Sequence, residues 1–290
     1  MQTREYFKNL QQDIIKNLQQ FEDLEFTQDS WFSNLGEGTT AILEGGEVFD
    51  RAGIGFSEVT GTRLPPSALK GRPELDGLPW QAYGVSLVIH PKNPFVPTVH
   101  MNVRQFCVDN EVTWHGGGID LTPYYGFEED VVHHHQTLKS VCDKYDQNLY
   151  QELKNDCDEY FYIPHRHEPR GVGGIFFDDF NRYGTERSFE FTKEVGNSFN
   201  DIYVPIVTRR KDIEFTQEQK DFQRYRRGRY VEFNLVYDRG TFFGLQSGGR
   251  SESILMSMPP DVAWRYDWHP KLGTEEAELY EKYLKVKDWI

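Results

Sequence analysis

Three stretches of this chain alternate between apolar and polar side chains with a period of two, and their polar positions carry an unusual set of residues. In 84–90, Val85, Leu87 and Ile89 alternate with positions that include Ser86 and His90. In 96–107, Val99, Met101 and Val103 oppose Thr98, His100, Asn102 and Arg104. In 230–238, Val231, Phe233, Leu235 and Tyr237 alternate with Glu232, Asn234 and Asp238. A period of two places successive side chains on opposite faces, so each stretch is expected to be a strand with one buried and one polar face. Solvent accounts for Lys, Glu or Thr on such a face. It accounts poorly for His, Asn and Arg together, which points to a working surface.

The remaining chain reads as helices and short strands around that sheet. Tyr6, Phe7, Leu10, Ile14, Leu18 and Phe21 recur at helical spacing, so the chain opens with an amphipathic helix. Residues 39–60 are expected as a hairpin turned at Gly45-Gly46. Helices are expected at 127–144, 146–161, 186–203 and 275–287. Thr216 and Gln219 have the spacing of a capping box, opening a helix that ends near Gly228. Further strands are expected at 173–178 and 252–258. With no internal repeat or Pro/Gly/Ser linker, the fold class is α+β, a large mainly antiparallel sheet flanked by helices in a single catalytic domain over 1–290.

Charge narrows the partners. The chain holds 32 Lys/Arg against 46 Asp/Glu, a net charge of −14, so its overall field disfavours nucleic acid and anionic membranes. Cys107, Cys142 and Cys157 form no C-x-x-C pair and read as free thiols in a reducing compartment. The first residues show no apolar signal-peptide core, and no window approaches the ~18 apolar residues of a membrane span. A cytoplasmic protein without membrane insertion is expected.

Three groupings could carry chemistry. Eight of the nine histidines lie between His90 and His167, including the triplet His133-His134-His135. They could form a metal or acid/base site, or be histidines satisfied by ordinary hydrogen bonds; no H-E-x-x-H spacing supports a metal. Gly116-Gly117-Gly118 is separated from Asp120 by Ile119 alone and could let a bulky ligand lie against backbone, or mark a turn or bulge. Gly36-x-Gly38 runs into Thr39-Thr40, not a helix, so no dinucleotide fingerprint is present. Residues 209–250 hold ten Lys/Arg against six Asp/Glu. Arg239 in Asp-Arg-Gly and Arg250 after Gly248-Gly249 suit bidentate grip on carboxylates. An anionic polycarboxylate ligand follows from this chemistry.

Taken in order, the segments GVSLVIH (84–90), PTVHMNVR (97–104), WHGGGIDLTPYY (114–125), DEYFY (158–162), GGIFFDD (173–179), YRRGRYVEFNLVYDRGTFFGLQSGG (225–249) and RSESILMSMPP (250–260) resemble the oxygen-dependent coproporphyrinogen-III oxidase family. The resemblance runs over roughly residues 5 to 285. It implies oxidative decarboxylation of two propionates of coproporphyrinogen-III to vinyls, giving protoporphyrinogen-IX, with O2 as co-substrate and no organic cofactor. It implies His100 as proton donor, Asp120 as the group meeting the pyrrole N–H and acting as base, and Arg239, supported by Asp238, as the grip on the reacting propionate. Ser86, Asn102, Val103, Arg104, Gly248, Gly249 and Arg250 match substrate-binding positions. His90, His100, His135 and His165 match a divalent-metal set, whose need is left open. A homodimer joined through strands around 231–258 is also implied. Two other classes compete: a metal-dependent oxygenase or hydrolase on the histidine cluster, which chelation would abolish, and a non-catalytic tetrapyrrole carrier, which would tolerate replacement of Asp120 and His100.

Overall fold

The alternating segments build the centre of the molecule. The computed structural model describes residues 2–64, 72–246 and 248–290, apart from the Phe243 side chain. Seven strands form one antiparallel sheet in the order β1-β2-β3-β4-β5-β6-β9. They are β1 (Thr27–Ser33), β2 (Gly36–Glu44), β3 (Phe49–Gly61), β4 (Trp80–Pro91), β5 (Thr98–Val108), β6 (Val112–Thr122) and β9 (Gly174–Phe180). Two-residue β7 (Tyr162–Ile163) and β8 (Glu168–Pro169) pair apart from it. The α+β class with helices flanking a mainly antiparallel sheet is borne out, as is the hairpin turned at Gly45, where φ is +72°.

One face of the sheet is the core. Val85, Leu87, Ile89, Val99, Met101, Val103, Ile119, Leu121, Ile175 and Phe177 are all 1 % exposed or less. Against them pack α1 (Gln2–Gln19) and α4 (Thr185–Arg210). Each such side chain contributes about 1.5–3 kcal/mol on full burial. Gln11 of α1 spans the layers by donating to the Thr39 and Ile54 carbonyls, both at 2.8 Å. A charge placed at Met101 would find no partner there and would cost several kcal/mol.

The opposite face is polar and is built of small residues. Register puts Thr40, Gly55, Ser86, Asn102, Gly118 and Phe176 in one row across six strands. At about 4.8 Å per strand this row spans about 24 Å. The neighbouring rows are Gly53, Val88, His100, Asp120 and Gly174 on one side, and Ser57, Gly84, Arg104 and Gly116 on the other. The remaining helices are α2 (Glu128–Cys142), α3 (Leu149–Tyr160), α5 (Gln217–Val236), α6 (Arg239–Gln246), α7 (Ser251–Leu255) and the four-residue α8 (Glu275–Glu278). α7 is tied to one end of the long row by a 2.8 Å hydroxyl contact between Ser253 and Thr40.

Five readings from pattern alone are corrected in whole or in part. Residues 230–238 are not a strand but mostly the end of α5. The capping box at Thr216 and Gln219 is present, yet the helix passes Gly228 and continues to Val236. Its buried positions Phe222, Arg226, Tyr230 and Phe233 follow helical spacing, while Leu235 and Val236 are exposed. Gly228 is tolerated because a Cβ there would meet the Ala263 carbonyl at 3.0 Å and the Trp264 indole at 3.2 Å. Residues 252–258 are also not a strand; they begin as α7, and the Met256 N–H donates to the Glu252 carbonyl. The helix expected over 275–287 is α8 followed by one π-helical turn, Leu279–Tyr283. Finally, Gly116-Gly117-Gly118 is neither turn nor bulge in itself but the interior of β6. No helix among the described residues is long and apolar enough to cross a membrane.

Candidate active site

His100 and Asp120 lie directly opposite each other on β5 and β6. The turn that sets this register carries Asp109 (φ +51°) and Asn110 (φ +58°), residue types that tolerate the left-handed region. His100 Nδ1 is 2.8 Å from Asp120 Oδ1. Behind Asp120 lies a residue that sequence reasoning missed. Arg170 donates from Nη2 to Oδ1 at 2.7 Å and to Oδ2 at 2.9 Å, and from Nε to Oδ2 at 3.2 Å. Its Nη1 donates to Asn234 at 2.9 Å. The guanidinium also packs over Phe161, Tyr230 and Phe233, 4.1, 4.6 and 4.7 Å from the ring centres.

Both members of the Asp120–Arg170 pair are 2 % exposed. Burial pushes the Asp120 carboxyl upward, but Arg170 and the His100 hydrogen bond outweigh it, and the net shift is down. Asp120 is therefore a fixed anion at neutral pH. An ionised carboxylate only accepts hydrogen bonds, so His100 Nδ1 carries the proton between them and Nε2 is left for exchange.

The arginine end of the face is equally organised. Arg104 donates from Nη1 to Asn102 at 2.6 Å and from Nη2 to Asp178 at 2.8 Å. Gly116 makes this possible: a Cβ there would come within 2.6 Å of Arg104 Nη2. Gly117 admits the Phe177 ring and Gly118 the β9 backbone, so the three glycines are filled by the chain's own atoms. Arg239 lies over Tyr160 at 4.8 Å, and Tyr160 in turn stacks on Phe176 at 4.2 Å. Asp238 makes no ion pair with Arg239. It caps α6 by accepting from the Thr241 N–H at 2.8 Å and hydroxyl at 2.7 Å, and takes the Tyr160 hydroxyl at 2.8 Å.

The other expected positions divide. Ser86 is adjacent to Asn102, and both face the polar side. Val103 points into the core at 0 % exposure, leaving only its backbone for a ligand. Gly248 takes φ +74°, and the Gly249 N–H donates to the Gly244 carbonyl at 2.8 Å. Arg250 Nη2 reaches Asp29 at 2.5 Å. Ser247, inside the 225–249 motif, lies outside the described residues. A cleft of about 870 Å³ is lined by Gly55, Ser57, Ser86, Gly249, Arg250 and Met256 among others, but not by His100, Asp120 or Arg239. It belongs to the β2–β4 half of the face. The Ser86–Asn102 pair joins it to the half that carries the His100 dyad.

The histidines do not converge. His90 is bonded to Thr98 at 3.2 Å and the Ser257 carbonyl at 2.9 Å, and burial holds it down at about 3. His135 is bonded to the Val172 carbonyl at 3.0 Å and the Tyr150 hydroxyl at 2.9 Å. His165 is bonded to Tyr237 at 2.8 Å and Glu232 at 2.7 Å. Both ring nitrogens of these three are thus in use, each with different partners, and His100 is turned to Asp120. Among the described residues no three His, Cys, Asp or Glu side chains gather where a metal could be held. The set His90, His100, His135 and His165 does not fit one shared cation.

With this geometry in view, comparison with known proteins is direct. Residues 2–289 match the family model described as coproporphyrinogen III oxidase. A protein of Francisella tularensis subsp. holarctica (strain OSU18) named oxygen-dependent coproporphyrinogen-III oxidase is 53% identical, covering 99% of this chain and 97% of that one. Proteins of the same name from subsp. tularensis (strain FSC 198) and subsp. mediasiatica (strain FSC147) show the same identity and coverage. The chain belongs to the oxygen-dependent coproporphyrinogen-III oxidase family.

Proposed function

We propose that this chain, acting over 1–290 as one catalytic domain in the cytoplasm, oxidises coproporphyrinogen-III to protoporphyrinogen-IX. Each propionate R–CH2–CH2–COOH plus O2 yields R–CH=CH2, CO2 and H2O2. The electron-rich pyrrole is the reductant, so no organic cofactor is required. The observation that carries the reading is the His100–Asp120–Arg170 chain, set beside a wide floor of small residues with arginines toward either end.

The protein's part is positional and electrostatic. Arg104 and Arg239 hold the carboxylate of the reacting propionate, and Arg250 holds one at the other end of the row. Ser86 and Asn102 contact the macrocycle between them. Asp120 keeps His100 in the Nδ1–H form, and His100 Nε2 exchanges the proton. Asp120 acts as an anchoring anion and not as the proton acceptor itself, because both of its oxygens are already bonded and Arg170 holds its pKa down. Its negative charge stabilises the imidazolium and any positive charge developing on the pyrrole. Asp238 supports Arg239 indirectly, through the α6 cap and Tyr160.

The working form is a homodimer. Leu235, Val236, Phe242 and Leu245 are 45, 51, 40 and 42 % exposed near the α5–α6 junction, an apolar surface suited to a two-fold contact. It is made of helices, not the strands expected around 231–258. Incubating the pure protein with coproporphyrinogen-III in air and under argon tests the activity. Product only in air is expected, and full turnover under argon overturns the reading.

A further inference from the structure

We propose that Asp178 is a place-holding carboxylate: it occupies the Arg104 and Arg239 guanidiniums until a ligand carboxylate displaces it, and so determines which ligands the site admits. The inference rests on the reading of these two arginines as the propionate grip. Pairing between β6 and β9 shifts register between His115 and Gly117, so Phe177 and Phe180 are paired while the two residues between them bulge outward. Asp179 takes φ +51° there. The bulge turns two carboxylates toward three arginines. Asp178 Oδ1 accepts from Arg104 at 2.8 Å, Asp178 Oδ2 faces Arg239 Nη2 at 3.5 Å, and Asp179 takes Arg72 at 2.8 Å.

The two forks do not depend on Asp178 for their placement. Arg104 is fixed by Asn102 and by the space above Gly116, and Arg239 lies on Tyr160 and Phe176. The carboxylate between them is therefore the replaceable part. Asp178 and Arg239 side chains are 36 and 64 % exposed, so water reaches the contact and its worth is small. A propionate offers the same two oxygens to forks already in position. Arg250 with Asp29 repeats the arrangement. A ligand that replaces both acidic residues at once is favoured over a lone carboxylate. Decarboxylation then removes the competitor: a vinyl group cannot hold the forks, and Asp178 returns to them.

Fluorescence titration with coproporphyrin-III, the oxidised tetracarboxylate, tests this without turnover. Asp178→Asn should bind about three- to tenfold tighter than wild type. Asp179→Asn loses the same charge but releases only Arg72, and Asn tolerates the left-handed backbone; it should stay within about twofold. Unchanged or weaker binding by Asp178→Asn overturns the proposal, as does equal tightening by Asp179→Asn. Arg104→Gln and Arg239→Gln should each weaken binding. If both bind like wild type, the propionate grip itself is wrong and the proposal falls with it. If they weaken binding while Asp178→Asn does not tighten it, the grip stands and Asp178 alone is misassigned.

Discussion

Arg170 meets both carboxylate oxygens of Asp120 in a pair that is 2 % exposed on each side. The His100–Asp120 pair is thus the outer end of a buried electrostatic chain, His100 to Asp120 to Arg170 to Asn234. Taking away one charge of such a pair strands the other in a low-dielectric site. Arg170→Leu should destabilise the fold by about 3–5 kcal/mol, read from urea unfolding. Adding Asp120→Asn to that variant removes the stranded charge and should recover part of the loss. If the double variant is less stable than Arg170→Leu alone, the pair is not what couples these residues.

Buried histidines should make the protein acid-labile well above carboxylate range. Burial lowers His90 to about 3 and His115 and His134 to about 4, and takes His135 well below its ordinary value. The Phe180 backbone opposes the His115 shift in part, although neither His115 nitrogen has a hydrogen-bond partner among the described residues. In the unfolded chain each histidine titrates near ~6.5. Between that value and the folded one, the unfolded state binds more protons, so stability is intact above ~6.5 and falls as pH drops through the window. Each group contributes about 1.4 kcal/mol per pH unit there, a large effect against a total of about 5–15 kcal/mol. Urea midpoints measured from pH 7.5 to 5 should fall steeply below about 6.5. His115→Phe keeps the stack on Phe189 and should flatten that slope by roughly one proton. An unaltered slope in this variant counts against the buried neutral state.

The parts legible in the sequence were those in which one local period decides the outcome. β4 and β5 are long, and the alternate side chains Val85, Leu87, Ile89, Val99, Met101 and Val103 are buried on one face, so period two was enough. The same test misread 230–238 because nine residues are too few to tell alternation from coincidence. The helical period of α5 becomes visible only with Phe222, Arg226 and Tyr230 included. The opposition of His100 and Asp120, twenty residues apart, depends on β-hairpin register and was reachable only through family resemblance. Arg170 lay beyond both routes, in the connection between β8 and β9 where no periodicity exists. The available signal was a lone Arg between Pro169 and Gly171, just before a strand antiparallel to the one carrying Asp120.

Histidines spent on separate hydrogen bonds predict how the protein answers to chelation. Turnover should survive exhaustive chelation at least in part if the pyrrole is the electron donor, as proposed above. His135→Gln should cost about 1–3 kcal/mol of stability by leaving the Val172 carbonyl and Tyr150 hydroxyl unpaired, with no change in metal content. Elemental analysis showing one tightly held metal per chain, lost together with activity, would replace this reading with the metal-enzyme class.

Exposed apolar residues near the α5–α6 junction locate the proposed dimer contact. Leu235→Glu combined with Leu245→Glu should shift light scattering from dimer to monomer at micromolar protein, with far-UV circular dichroism unchanged. An active wild-type monomer at that concentration, or a double variant that stays dimeric, places the contact elsewhere or removes it.

Asp120→Asn strands the buried Arg170 charge and should cost about 3–5 kcal/mol of stability; under conditions where the variant stays folded, it should keep most coproporphyrin-III affinity while losing nearly all turnover. The asparagine retains size and one acceptor oxygen, but its NH2 group can now face His100 Nδ1. Imidazole then favours the other tautomer, and Nε2 no longer offers its lone pair toward the substrate. The imidazolium formed by proton uptake also loses its counter-charge at 2.8 Å. Proton-transfer groups contribute about 10²–10⁴-fold and local charge stabilisation adds to that, so the expected loss in kcat is about 10³-fold or more. Asp120 makes no first contact with propionates in this arrangement, so the coproporphyrin-III dissociation constant should move only a few-fold. Arg239→Lys provides the contrast: it keeps the charge, loses the fork, and should raise KM as well as lower kcat. Turnover by Asp120→Asn within about tenfold of wild type, below the range for a proton-transfer group, would show that the carboxylate only anchors Arg170 and that His100 works without it.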